Sequence, residues 1–397
     1  MIERMNVNLF DLKAQNAALE PELHEAFRRV LHSGQFILGP EVEKLEHSLA
    51  AFTGAKHVLG VSSGTDAILV ALMALGIGSG DEVLCPTFTF FATAGCIERV
   101  GAKPVFVDSC PVCFNLDLRD AAQRITPRTK AILPVHLFGQ SAEMDGVLDL
   151  ARKHNLRVIE DTAQAMGATY RAKQVGTLGD FGTISFFPTK NLGALGDAGA
   201  VLTNDTTLFE RARILRMHGM EPKYYHQVVG GNFRIDALQA AMLSVKLPHF
   251  NGYTEARRRN AALYAERLAK LPGVRLAKPQ DCGCAQSVNS EEAARIVLPV
   301  AYPHNGHIWN QYTLRVIGAG RRDALRAHLS SRSIGSEIYY PLPLHEQACF
   351  AGLGYKPEDF PWAHRLASEV LNLPVYPELP ADHIEQVCTA IAEFLAP

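Results

Sequence analysis

Short apolar runs recur along the first ~250 residues, and most of them are continuous rather than alternating. A strand with one wet face alternates apolar and polar side chains, whereas a continuous run requires cover on both faces. Such runs are His57–Val61, Glu82–Cys85, Pro104–Val107, Ala131–Val135, Arg157–Glu160, Thr183–Phe187 and Gly199–Thr203. Helical patterns separate them, among them Asp66–Leu75, Met144–His154 and Leu208–Met217. Strands alternating with helices predict an α/β fold whose large domain carries a mostly parallel sheet flanked by helices.

The texture changes near Pro248. A polar helical stretch, Tyr253–Lys270, leads into a Pro/Gly segment, then a strand over Trp309–Val316, a helix over Arg322–Ser331 and a closing helix over Asp382–Phe394. Residues 1–248 are therefore expected to form the large domain and 249–397 a smaller C-terminal α/β domain. The stretch Asp281–His307 reads as a loop.

Composition narrows the classes. With 397 residues, 47% of them hydrophobic, the chain can bury a large core without disulfides. A formal net charge of -2 gives no bulk reason to bind nucleic acid or anionic membrane. The polar opening MIERMNVNLFDLKAQN has no apolar signal core, and no run reaches the ~18 apolar residues that a bilayer span needs. A cytoplasmic protein is expected, with its eight cysteines reduced. Cys110 with Cys113, and Cys282 with Cys284, are spaced closely enough to be half-sites for zinc, but no histidine pattern completes four ligands. No metal is expected.

In an open α/β sheet, ligands collect at the carboxyl ends of the strands. Three such ends carry polar residues. The first strand runs into Ser62-Ser63-Gly64-Thr65-Asp66 and a helix, which is either a plain N-cap or a phosphate cradle built from backbone N–H groups. The fifth ends at Asp161, read either as a helix N-cap or as a partly desolvated acid with a cationic partner. The sixth leads into Pro188-Thr189-Lys190-Asn191-Leu192-Gly193, where Lys190 is a surface turn lysine or a desolvated amine able to form an imine. No one of these decides; their order in the chain is more telling.

The segments SSGTDA, PVHLFGQ, EDTAQAMGA, SFFPTKNLGALGDAGA and GGNFRIDALQAA resemble the sugar aminotransferases of the DegT/DnrJ/EryC1/StrS family. The resemblance runs from FDLKAQN and SGQFILGPEVEKLE to YYPLPLHEQ and NLPVYPEL. It implies a fold-type I enzyme dependent on pyridoxal 5'-phosphate (PLP), with Lys190 carrying the cofactor as a Schiff base and later moving a proton. It further implies that Asp161 pairs with the pyridine nitrogen and Gln164 reaches the ring hydroxyl. Phe90 would stack on the ring, while Gly64, Thr65 and Ser185 hold the phosphate with Asp66 beside them. Asn232 would reach that phosphate from a neighbouring subunit, making a homodimer with shared active sites. His136, Arg234, Tyr340 and His345 match positions on the substrate side; Phe90 as plain core and His345 as a satisfied loop histidine remain open.

The resemblance implies an amino donor, L-glutamate, and an acceptor that is a nucleotide-linked keto sugar, with a 3-keto sugar favoured over a 4-keto one. Dehydratases of the family replace the lysine with histidine, and Lys190 is present. A nicotinamide oxidoreductase is the competing class, suggested by Gly318-Ala319-Gly320, but Asp323 stands where the third glycine of that turn belongs. A non-catalytic regulator on the same fold would be marked by loss of the lysine or the aspartate, and neither is lost.

Overall fold

The computed structural model describes residues 6–278 and 294–396. Its large sheet has seven strands: β1 (His57–Val61), β2 (Glu82–Pro86), β3 (Lys103–Val107), β4 (Thr129–Ile132), β5 (Arg157–Asp161), β6 (Phe181–Ser185) and β7 (Gly199–Thr203). Their order is β1-β7-β6-β5-β4-β2-β3. β7 is antiparallel to both neighbours, and the other pairings are parallel, so the sheet is mixed. Because β1 and β6 both oppose β7, they run the same way, and their carboxyl ends lie on one edge with that of β5.

Both faces are covered, as continuous apolar strands require. In β2, Val83 and Cys85 join the core formed with helices Gly64–Ala74 and Ala92–Arg99. Leu84, pointing the other way, joins Met144, Val147 and Ala151 of helix Met144–His154. Helix Gly64–Ala74 is buried at Ala67–Leu72 and Ala74, so it is apolar almost all round rather than striped.

A second sheet, β8 (Val274–Leu276), β9 (Ile296–Leu298), β10 (Tyr312–Val316) and β11 (Val370–Leu373), is ordered β8-β9-β10-β11. With helices Phe250–Leu268, Arg321–Ser331 and Ala381–Leu395 it forms a separate core. Val7, near the start of the chain, is part of that core and pairs with Ser333 and Gly335. The two cores meet across a buried ion pair: Arg315 of β10 donates to Glu369 at 2.6 and 2.9 Å, and also to the Pro111 carbonyl at 3.1 Å. At the same seam, Asp108 beyond β3 accepts the N–H groups of Trp362 and Ala363, which open helix Pro361–Glu369. A carboxylate at a helix start satisfies orphan donors and complements the dipole.

Several element ends differ from expectation. β6 spans Phe181–Ser185, two residues earlier than expected, and the chain then turns. Residues after Asp161 form turns rather than a helix. β10 begins at Tyr312 because Trp309 has φ +52, which no strand accommodates. The stretch expected as a loop carries β9 and, at Asn305–Gly306, a short pairing with Thr169–Tyr170. Cys110 and Cys113 are buried thiols in an apolar cluster with Val112, Ala277, Val297 and Tyr302. Cys282 and Cys284 lie outside the described residues. Among the described residues, no helix is long and apolar enough to cross a membrane.

Candidate active site

A cavity of about 430 Å³ opens at the carboxyl edge of the large sheet. Ser63–Thr65 after β1, Thr89 and Phe90 after β2, Asp161 and Gln164 from β5, and Ser185 and Lys190 from β6 all line it. The small domain closes the other side with Asn310, Gln311, Tyr339 and Tyr340.

The turn after β1 is built by close approach. A Cβ on Gly64 would lie 2.7 Å from the Ser185 Cβ, and one on Gly199 would lie 2.5 Å from the Ser63 carbonyl group. Both positions therefore need glycine, and the missing side chains bring the ends of β1, β6 and β7 together. The Ser63 hydroxyl accepts from the Asp66 N–H at 3.0 Å. Asp66 accepts in turn from the hydroxyls of Ser62 and Ser63 at 2.5 and 3.0 Å. Asp66 thus braces the turn from behind and does not line the cavity. The first N–H groups of the helix have no intrahelical partner, and the dipole there favours an anion.

Asp161 is 5% exposed. Its carboxylate accepts from the Thr93 hydroxyl at 3.0 Å and the Ala163 N–H at 3.1 Å. Burial outweighs these bonds and raises its pKa above the usual range. The pull of Lys190 works the other way without cancelling the burial. Glu160 beside it points to the opposite face, where it is fully buried and accepts from the N–H groups of Gly176, Leu178 and Gly179 and from the His136 ring. Of two adjacent acids, the strand's alternation sends one into the wall and one to the cavity.

Lys190 sits in a turn whose N–H bonds the Phe187 carbonyl at 2.8 Å. A Cβ on Gly193 would meet the Pro188 carbonyl oxygen at 2.1 Å, so the tight loop also requires glycine. Burial pulls the Lys190 pKa down to about 8, against the opposing pull of Asp161. Gln164 is spanned between two partners: its carbonyl accepts from the Phe138 N–H at 2.7 Å, and its amide donates to the Tyr340 hydroxyl at 3.0 Å. The Phe90 ring, 56% exposed, leans into the cavity 6.2 Å from that of Tyr340.

Two expected positions sit elsewhere. His136 is fully buried, with Nε2 on Glu160 at 3.0 Å and Nδ1 accepting from the Ala142 N–H at 3.0 Å. Both nitrogens are used, so it is a wall residue rather than one on the substrate side. His345 is also buried and off the cavity; its Nδ1 meets the Thr87 hydroxyl at 2.7 Å, and burial lowers its pKa to about 4. Asn232 and Arg234 line a neighbouring cavity of about 400 Å³ with Ser62 and Asp197, and Asp197 touches both spaces. Thr93, Gly199, Asn310 and Gln311 were not singled out by the sequence. A glycine opening a β-rich run signalled Gly199; the others carried no local signal.

A mixed seven-stranded sheet with a lysine and a buried aspartate converging at its carboxyl edge defines a PLP-dependent aminotransferase of fold type I. The profile of the DegT/DnrJ/EryC1/StrS aminotransferase family matches residues 17–392, and the chain belongs to that family. It is 48% identical to a pleiotropic regulatory protein of Geobacillus stearothermophilus, covering 98% of this chain and 99% of that one. It is 42% identical to the UDP-N-acetyl-3-dehydro-alpha-D-glucosamine 3-aminotransferase of Acidithiobacillus ferrooxidans, over the full length of both. Among solved structures, that of S. venezuelae DesV in complex with a ketimine intermediate superposes with a TM-score of 0.89 at 40% identity, covering 98% of each chain.

Proposed function

We propose that this chain moves the amino group of L-glutamate to the keto group at C3 of a nucleotide-linked sugar, as a homodimer with shared active sites. The observation that carries the reading is the pairing, in one cavity, of a lysine with a lowered pKa and a buried carboxylate whose pKa stays raised despite that lysine's pull. The 3-amino specificity is supported by the name of the relative that matches over its full length. A purely regulatory role on this fold would need neither the lysine nor the carboxylate.

The residues present fit the cofactor. Asp161 would hold the pyridine nitrogen protonated, which relieves its own burial. The N–H groups of Gly64 and Thr65 and the Ser185 hydroxyl would hold the phosphate, with Asn232 of the partner subunit completing the cradle. Phe90 would cover the ring, and the Gln164 amide would face its hydroxyl. PLP supplies a reversible electron sink for the carbon that bears the amino group.

Lys190 would serve as the proton carrier: its Nζ, with a pKa lowered to about 8 by burial, is neutral for a sizeable fraction near pH 8 and so could accept and return a proton at the carbon that bears the amino group. With the amino group kept on the cofactor between the two half-reactions, Lys190 would play the same part toward the keto sugar. Tyr340 and Arg234 would meet the substrates, Arg234 across the subunit boundary. We place the division between the two domains at residue 248, where helix Phe250–Leu268 begins the second core.

The test is the visible spectrum of the PLP-loaded protein on adding L-glutamate, followed by sugar nucleotides with keto groups at C3 or C4. Bleaching by glutamate and recovery with the 3-keto compound are expected. Recovery only with the 4-keto compound would move the specificity, and no bleaching with any amino acid would end the aminotransferase reading.

A further inference from the structure

We infer that Asn310 and Gln311 act as one amide pair that reads the polar groups on the acceptor's sugar ring, held in place by the buried Arg257. This rests on the acceptor reading above.

Residues 307–311 form a strap leading from the small domain across the cavity. The Asn191 amide, next to Lys190, donates to the Ile308 carbonyl at 3.2 Å, and the Ile308 N–H donates to the Gly139 carbonyl at 3.1 Å. The Gln311 N–H donates to the Phe138 carbonyl at 3.3 Å. Behind the strap lies Arg257, 3% exposed, which donates to the Trp309 and Asn310 carbonyls at 3.2 and 3.3 Å. Among the described residues no carboxylate lies within 4 Å of it, and burial lowers its pKa to about 10 against the weaker pull of Glu378. A buried cation spent on two carbonyls is costly unless the geometry it fixes is used. It holds Trp309 at φ +52, with the indole stacked 3.8 Å from His307.

The consequence is the placement of two amides on the cavity wall. The Asn310 amide nitrogen donates to the Gln311 side-chain carbonyl. The bond uses one N–H of Asn310 and one lone pair of Gln311, so the pair still offers an acceptor in Asn310 Oδ1 and donors in the second Asn310 N–H and in Gln311 Nε2. A donor beside an acceptor matches a hydroxyl or an acetamido group. The carboxylates of an amino acid would instead call for cations, which Lys190 and, across the subunit boundary, Arg234 would supply, not this neutral pair. The pair therefore serves the sugar rather than the donor.

The experiment uses the cofactor-loaded enzyme in its amine form and follows recovery of the visible band with two acceptors. One is UDP-N-acetyl-3-dehydro-α-D-glucosamine; the other is 2-oxoglutarate, which lacks the ring hydroxyls. Asn310→Ala and Gln311→Ala should each lower the rate constant for the sugar about tenfold more than that for 2-oxoglutarate, chiefly through KM. Arg257→Met should act in the same direction, and Arg257→Lys should restore part of the loss. Equal losses with both acceptors, or no loss with either, would overturn the assignment. A wild-type enzyme that recovers with 2-oxoglutarate but with no keto-sugar nucleotide would overturn the acceptor reading itself, and the inference with it.

Discussion

Replacing Asp161 by Asn separates a structural carboxylate from one kept for a ligand, because the two roles predict opposite responses. Asp161 is 5% exposed, and its two hydrogen bonds do not offset the desolvation of its charge, so its pKa is raised. A carboxyl with a raised folded pKa burdens the folded state above that pKa, and the burden disappears as pH falls below the unfolded value near ~3.9. In the apoprotein, Asn keeps an acceptor for the Ala163 N–H, and the Thr93 hydroxyl can rotate to accept from the new amide. The change should therefore cost at most about 1 kcal/mol, with the relief of the buried charge working against even that. With PLP bound, Asn loses a charge-assisted bond worth about 1.5–3 kcal/mol, so Kd should rise about 10- to 150-fold. Thermal unfolding of the apoprotein and a spectral titration with PLP measure the two terms. An apoprotein destabilised by about 3 kcal/mol or more, with PLP affinity unchanged, would make Asp161 a turn cap and refute the reasoning.

Gly64→Ala should cost about 1–3 kcal/mol in unfolding experiments and weaken PLP binding, since the new Cβ lies 2.7 Å from that of Ser185; adding Ser185→Gly should restore much of the stability. Acylation of Lys190 in the apoprotein should follow the neutral amine, with a midpoint near pH 8 rather than the ordinary 10.5. Because Asp161 pulls that value up, Asp161→Asn should move the midpoint lower still, which peptide mapping across a pH series reads directly. Glu369→Gln replaces the carboxylate that faces the guanidinium of Arg315, 2% exposed, with a neutral amide. A loss of about 3–5 kcal/mol in denaturant unfolding is expected.

The sheet was legible because its signal is local: a strand buried on both faces announces itself as an apolar run, and five of the seven begin within one residue of expectation. The exceptions, β4 and β6, lie where the apolar run continues past the last paired residue into the cavity wall, as Val135 and Phe187 do. Lys190 and Asp161 were candidates because strand ends concentrate chemistry, and both line one cavity. Asp161 was separable from Glu160 only through the alternation of β5, which sends the glutamate to three backbone N–H groups. His136 and His345 illustrate the limit. Matching motif positions brought them forward, yet their ring nitrogens serve Glu160, Ala142 and Thr87 inside the wall. Asn310 and Gln311 were invisible for a different reason: their place depends on Arg257, about fifty positions away, and on a backbone turn that no local pattern encodes.

The most direct test of the central claim is reduction of the PLP-loaded enzyme with borohydride followed by peptide mapping. Two lysines of the described chain have pKa values lowered by burial: Lys190, half-buried in the cavity wall, and Lys246, buried, whose ammonium donates to the Gly193 carbonyl at 3.0 Å. The cofactor label should appear on the Lys190 peptide alone and vanish in Lys190→Ala. Label on Lys246 or elsewhere, or PLP bound without covalent trapping, would contradict the account.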